Sequence, residues 1–325
     1  WRPRARHRAA GVVVVRVACI DIGTNSVLLL IAEQSPRGPV ALVEQATITR
    51  LGQGVDRTGQ LAPEACERTL ACLRAYASTI AEHGAQRVVA VGTSAMRDAS
   101  NGAEFRARAR ELLGVEPRVI SGDEEASLTF AGALSGLDVT GTLVVFDVGG
   151  GSTEIIVGDR SRAGGHQGVG ERVTSARSLD IGSVRLSERF LAHDPPTADE
   201  CAAVRAYVTR ELAGYGPIPT KKTLIGVAGT VTTLAAIDLG LEPYVAERVH
   251  GARISAERVR EIATQLASLS TTERKRLPGL APDRADVIVA GALLVHEVLM
   301  WAQCEELVAS DRGVRWGLAA RELAP

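Results

Sequence analysis

Apolar positions near the start of the chain fall in three short runs, Val12–Ile20, Val27–Ala32 and Val40–Ile48, separated by turn residues, and this predicts three consecutive strands. The loop Thr49–Gln60, with Gly52, Gly54 and Gly59, reads as turn chemistry. Pro63 then opens a stretch to about His83 with Ala65, Leu70, Leu73, Ala77 and Ile80 at helical spacing, so a long helix is expected there. A short buried strand follows at Val88–Val91. Past a glycine-punctuated crossing, Gly132 to Gly141, the pattern begins again. Strands are expected at Leu143–Asp147, Glu154–Val157 and Arg172–Leu179, then a helix after Asp180–Leu186 and another from a capping box at Thr197 and Glu200. Thr223–Val227 reads as a strand and Ser255–Ala267 and Asp283–Trp301 as amphipathic helices. Glu306–Ala309 is a last strand before a closing helix.

The stretch that organises the chain is VVFDVGGGSTEIIV, residues 144–157. A buried strand ends at Asp147, turns through Gly149, Gly150 and Gly151 with Ser152 and Thr153, and resumes as a strand carrying Glu154. Glycines there let backbone N–H groups approach an anion closely. The two carboxylates then lie where a Mg²⁺-type cation or an activated water would sit. CIDIGTNSVLLLI, residues 19–31, is an earlier copy: Asp21 falls on Asp147, Gly23 on Gly149, Ser26 on Ser152, and the apolar Leu28 on Glu154. Two acid-ended strands with anion turns imply a duplicated fold whose turns face each other across a cleft. They also mark Glu154 as a functional acid.

Further along, Thr93 and Arg97 follow a strand end, where hydroxyls and a planar guanidinium suit phosphate oxygens; a helix cap with a surface arginine explains them equally. Ser121 and Glu124 form a capping box, which accounts for Glu124 but does not require Glu125, turned about 100° away on the helix. Ala228-Gly229-Thr230 turns from strand into helix. The glycines of Asp159–Gly170 sit in a hairpin and read as a flexible loop, and His250 and His296 as a loop and a helix histidine without metal spacing.

The near-neutral net charge of −1 gives no general attraction to nucleic acid or anionic membrane. Five cysteines without C-x-x-C spacing read as buried thiols of a reducing cytosol, and no stretch has the length and apolarity of a membrane span, so a cytoplasmic location is expected. The basic opening, residues 1–11, reads as a disordered leader.

In order, DIGTNS, VGTSAMRDASN, ISGDEEA, DVGGGSTE, GVAGT and SDRGVRWG span nearly the whole chain and resemble the exopolyphosphatase/guanosine pentaphosphate phosphatase (Ppx/GppA) family of the actin-like ATPase superfamily. The resemblance implies an α/β fold of two actin-like, ribonuclease-H-like domains flanking a cleft, with residues 12–121 plus 311–325 in one and 122–310 in the other. It implies Glu125 as the general base, with Asp147 and Glu154 catalytic. Phosphate would be held by Thr24, Asn25, Ser26, Thr93, Arg97, Gly149–Thr153, Gly229 and Thr230, and Mg²⁺ (or Mn²⁺) by Asp147, Glu154 and Asp21. The substrate would be inorganic polyphosphate, or alternatively guanosine pentaphosphate (pppGpp, giving ppGpp). Dimers are common in the family, and Gly313 is a candidate hinge before its last helix. Outside the phosphatase readings stand an actin-like kinase or ATPase and a regulator that binds ppGpp or pppGpp without turnover. The cluster of four acids argues against the regulator. The chain also ends soon after Trp316, where larger relatives add helical domains, which argues against a long polyphosphate channel.

Overall fold

A computed structural model describes residues 15–35, 38–161 and 170–324. The expected leader and most of the Asp159–Gly170 hairpin lie outside the described residues. The first half runs β1 (Arg16–Ile22), β2 (Ser26–Ser35), β3 (Gly38–Ile48), α1 (Val55–Thr58), α2 (Pro63–Glu82), β4 (Arg87–Gly92), α3 (Ser94–Asp98), α4 (Gly102–Leu113), β5 (Arg118–Val119) and α5 (Gly122–Leu134). The second half runs β6 (Gly141–Val148), β7 (Thr153–Ser161), β8 (Gly170–Leu179), α6 (Ser183–Phe190), α7 (Ala198–Ala213), β9 (Thr223–Val227), α8 (Ala228–Asp238), α9 (Ala246–Val249), β10 (Arg253–Ser255), α10 (Ala256–Ser268), α11 (Thr271–Arg274), α12 (Ile288–Ala302), β11 (Glu306–Ala309) and α13 (Val314–Glu322).

The duplication inferred from the two acid-ended strands is visible in the sheets. One has strand order β3-β2-β1-β4-β5; the other reads β8-β7-β6-β9-β11, with β10 added at its edge. In each, the first three strands form an antiparallel meander, and β1 pairs parallel to β4 as β6 does to β9. Every first strand therefore ends at the same place, beside the end of a parallel neighbour. In such sheets that is where ligands bind.

Helices α5 and α13 join the halves. Val314, Trp316, Leu318 and Ala319 of α13 pack with Leu128 of α5 against Val17, Cys19 and Leu30 of the first sheet. Ala126, Phe130, Ala133 and Leu134 of α5 instead enter a core with Leu143, Val145 and Ile156 of the second. Where the two helices cross there is no room for side chains. A Cβ on Gly132 would meet the Gly313 carbonyl oxygen at 2.0 Å, and one on Gly317 the Leu128 carbonyl oxygen at 2.1 Å. At the far rim ion pairs span the halves: Arg50 to Asp286 at 2.6 Å, and Asp56 to both Arg185 and Arg189.

Three expectations need correction. The helix expected over Asp283–Trp301 begins only at Ile288; Pro282 opens a single 3-10 turn, which leaves Arg284 outside the helix. Gly132 belongs to α5, so the connection between halves starts at Ser135. The capping box at Ser121 is half formed. The Ser121 hydroxyl accepts from the Glu124 N–H, but the Glu124 carboxylate takes a two-pronged bond from Arg118 at 2.5 and 2.6 Å and one from Arg321 at 2.9 Å. Two guanidinium groups outcompete one neutral backbone N–H for it. The Thr197–Glu200 box is complete.

Candidate active site

The two turns share one hydrogen-bond pattern. Gly23 N donates to Ser26 O at 3.0 Å, and Gly149 N to Ser152 O at 3.0 Å. In both, the segment after the third strand draws the turn's carbonyls to itself. Thr49 N and Arg50 N donate to Asn25 O, and Gly52 N to Thr24 O, at 2.9–3.0 Å. In the later copy Ser183 N donates to Gly149 O, and Val184 N and Arg185 N to Gly150 O, at 2.9–3.1 Å. The glycine turn thus satisfies the first N–H groups of α6, which has no side-chain cap. A planar trans peptide points its N–H opposite to its C=O. The N–H groups of Gly150 and Gly151, and of Asn25 and Ser26, are therefore aimed away from these anchoring segments, into the space the turns share.

That space is narrow at its floor. A Cβ on Gly150 would lie 3.0 Å from Thr24 Cγ2, and one on Gly151 3.1 Å from Ser94 Oγ, so a side chain at either position would crowd the opposite turn. Thr24 Oγ1 and Ser94 Oγ are hydrogen-bonded at 2.9 Å. Above the floor opens a cleft of about 760 Å³.

Among the carboxylates that border it are Asp21, Glu125, Asp147 and Glu154. Asp21 stands opposite Leu28 in the β1–β2 register, and Asp147 opposite Glu154 in the β6–β7 register, so the replacement read from the sequence is a true positional equivalence. Two like charges facing each other across a strand pair work against the fold. Ser178 donates to Glu154 at 2.7 Å. Burial raises the Glu154 pKa despite the bonds from Ser178 and Ser152. Burial, with Glu154 and Asp21 nearby, pushes Asp147 well above the ordinary carboxylate range. Asp21 is pushed up to about 6, mainly by burial and against the pull of Arg315. Glu125, in the first turn of α5, is buried and joins the cluster from the side. Burial, then Glu154, Asp21 and Asp147, push its carboxyl well up, while Arg97 at 3.6 Å opposes them. Its Oε2 and Asp21 Oδ1 have no hydrogen-bond partner. Glu124 lies in the ion-pair cluster with Arg118 and Arg321 instead, its pKa lowered to about 2 by Arg118.

Of the residues read from the sequence, Thr24, Asn25, Ser26, Thr93, Gly149, Gly150, Ser152, Gly229 and Thr230 border the cleft with the carboxylates. Thr153 does not turn toward it: its buried hydroxyl donates to Ile181 O at 2.5 Å. Gly151 faces Ser94 and Arg185 at the floor. Arg97 lies beside Glu125 and reaches Ile120 O at 3.4 Å rather than lining the wall. Sequence reasoning missed Arg284, whose guanidinium lies so close over Gly229 that a Cβ there would meet Nη1 at 2.0 Å. It also missed Arg315, buried on Glu44 at 2.7 Å, a partner 271 residues away for which no local signal exists. The next turn holds a non-glycine residue in the left-handed region, Ala228 at φ 68°. A side chain tolerates that backbone only when its surroundings impose it.

A duplicated ribonuclease-H-like fold, with paired anion turns over a carboxylate-lined cleft, defines a protein of the actin-like class. Comparison with known proteins narrows this. The model of the Ppx/GppA phosphatase family matches residues 30–324, and the chain belongs to that family. Exopolyphosphatase 2 of Mycobacterium tuberculosis is 39% identical over 323 residues, covering 94% of this chain and 98% of its own. The crystal structure of the Aquifex aeolicus Ppx/GppA family member has a TM-score of 0.78 at 33% identity and covers 95% of this chain and 98% of that one. An exopolyphosphatase-like protein of known structure reaches 0.87 at 36% identity, covering 96% and 99%. No helix among the described residues is long and apolar enough to cross a membrane.

Proposed function

We propose that this chain is an exopolyphosphatase, which cleaves the terminal phosphoanhydride of inorganic polyphosphate with water and releases orthophosphate. The observation that carries the reading is the pair of turns aiming backbone N–H groups into one narrow space beside a buried Glu125 whose Oε2 accepts no hydrogen bond among the described residues. The terminal phosphoryl group sits between the turns, its equatorial oxygens bound by the N–H groups of Gly150, Gly151, Asn25 and Ser26 and by the hydroxyl of Thr24. Glu125 orients the attacking water and takes its proton as the new P–O bond forms and the bridging P–O bond breaks. Burial and neighbouring acids make Glu125 a stronger base than a solvated carboxylate, and Arg97 keeps its charged form within reach.

A divalent cation fits these residues in one way. Among the described residues no three His, Cys, Asp or Glu side chains converge to cage a metal. Mg²⁺ commonly uses one or two carboxylates and takes its remaining ligands from phosphate and water. Asp147 and Glu154, with Asp21 alongside, would hold Mg²⁺ or Mn²⁺ in that manner, and the unpartnered Asp21 Oδ1 suits the role. The cation would neutralise charge on the leaving oxyanion.

The cleft lining also includes Pro243, Tyr244 and Leu277, apolar groups that polyphosphate does not need, beside Lys275 and Arg276. This favours guanosine pentaphosphate as the second reading. Phosphate release from long-chain polyphosphate, guanosine pentaphosphate and ATP, each with Mg²⁺ and with EDTA, tests both. Metal-dependent release from polyphosphate supports the first reading, release from the nucleotide alone replaces it with the second, and silence from folded protein refutes both.

A further inference from the structure

Arg185 lies outside the residues that border the reacting groups, yet it is wired to them. Its backbone N–H donates to Gly150 O at 3.1 Å, and its side-chain Nε to Gly151 O at 2.7 Å. The other nitrogens point into the opposite half: Nη1 bonds Asp56 of α1, and Nη2 lies 3.6 Å from Asp98 at the end of α3. Asp56 is itself held by Arg189 at 2.5 and 2.6 Å, so the acid cannot drift. The Arg185 side chain is only 13% exposed, and Gly182 brings the turn onto α6 so closely that a Cβ there would lie 2.3 Å from Gly150 O.

We infer that Arg185 is a positioning residue for the phosphoryl-binding turn, fixing the direction of the Gly151–Ser152 peptide and making that direction depend on Asp56 of the other half. The inference rests on the phosphohydrolase reading above. Of the turn's three outward peptides, two have their carbonyls fixed by backbone N–H groups of α6, which stay in place as long as the helix does. The third, Gly151–Ser152, is fixed by a side chain alone. Gly151 is flexible enough for this peptide to rotate, and rotation would swing the Ser152 N–H off the phosphoryl group. Only a guanidinium has donors in the fixed geometry needed to bind a carbonyl with one edge and a carboxylate with another. When the halves separate, Asp56 leaves, the fork loses its second anchor, and the peptide is free to turn. The donor set is thereby complete only with both halves together around the substrate.

The test compares wild type, Arg185→Ala, Arg185→Lys, Asp56→Asn and the Arg185→Ala/Asp56→Asn double variant, by kcat and KM on polyphosphate, inhibition by orthophosphate, and thermal melting. Arg185→Ala should lower kcat by about 10- to 100-fold, less than the loss of an anion-hole donor itself. It should weaken inhibition by orthophosphate and leave melting close to wild type. Arg185→Lys, which keeps the charge opposite Asp56 and so the fold, should not restore kcat, because an ammonium cannot serve both acceptors in the fork geometry. Asp56→Asn should lower kcat in the same direction, and the double variant should be no worse than Arg185→Ala. Wild-type kcat in either Arg185 variant, or losses that multiply in the double variant, would overturn the inference. Wild-type enzyme that releases no phosphate would sink the hydrolase reading instead. Positioning would then be judged by direct binding of orthophosphate, and equal affinity in wild type and the Arg185 variants would overturn it.

Discussion

Asp21 should destabilise the folded protein at neutral pH, and removing its charge should show by how much. Its folded pKa is pushed up to about 6 from the ordinary 3.8 of a solvated aspartate, mainly by burial. A carboxyl whose pKa is raised on folding binds more protons in the folded state, so its contribution is most favourable below pH 3.8 and is lost as pH rises toward 6. The difference is about 2 pKa units, or ~3 kcal/mol at 1.36 kcal/mol per unit. Asn resembles the protonated acid. Asp21→Asn should therefore be more stable than wild type by about 3 kcal/mol at pH 7–8, by roughly half that near pH 5, and by nothing near pH 3. Urea unfolding at each pH, in EDTA so that no cation offsets the charge, measures the gain. A gain independent of pH, or none at pH 7, would refute the reasoning, since either means that Asp21 is solvated well enough to ionise freely. The same substitution should lower phosphate release, separating stability from activity.

Glu125→Gln should fold as well as wild type or better, because it removes a buried charge set against Glu154, Asp21 and Asp147, and turnover should fall by about two to four decades; undiminished turnover would show that another group activates the water. In wild type, kcat should rise with pH as the Glu125 carboxyl, raised by burial and by Glu154, loses its proton, and a pH–rate profile without that ascending limb would count against the assignment. Gly317→Ala places a Cβ 2.1 Å from the Leu128 carbonyl oxygen, backbone that no rotamer change can move aside. Overpacking of that kind costs about 1–3 kcal/mol or more, so the melting temperature should drop by several degrees; an unchanged melting temperature would mean that the crossing is looser than drawn.

What was legible in the chain was whatever is encoded locally. The strand meanders, the glycine turns and the equivalence of Leu28 with Glu154 came through because strand period, turn chemistry and hairpin register all act over a few residues. The Thr197 cap did so for the same reason, since both partners lie within one turn. Features set by distant partners did not. Glu124 looked like a capping residue, but Arg118 takes both its oxygens and Arg321, 197 positions away, adds a third bond. Thr153 looked like a phosphate ligand, but its hydroxyl is claimed by a carbonyl 28 residues on. Arg284 sat in what read as a helix start, and only the 3-10 turn at Pro282 frees it to lie over Gly229. Strands as short as β5 and β10, of two and three residues, carry too little pattern to be read, and form because neighbouring strands offer them an edge.

The crossing of α5 and α13 has a mechanical consequence. Most packed helices interlock ridge into groove, so turning one against the other means lifting side chains over one another, and motion proceeds in jumps. At Gly132, Gly313 and Gly317 there are no ridges, and bare backbone rests on bare backbone. Such a contact fixes the distance between the halves, and a swivel between them would turn about it while Leu128, Val314 and Trp316 shift beside it. The rim pairs Arg50–Asp286 and Asp56–Arg185 act at the far end of the lever that turns on it. A small angular change at the axle becomes a wide change of gap at the rim, where salt screens the Arg50–Asp286 pair more than the Asp56–Arg185 pair, whose arginine side chain is only 13% exposed.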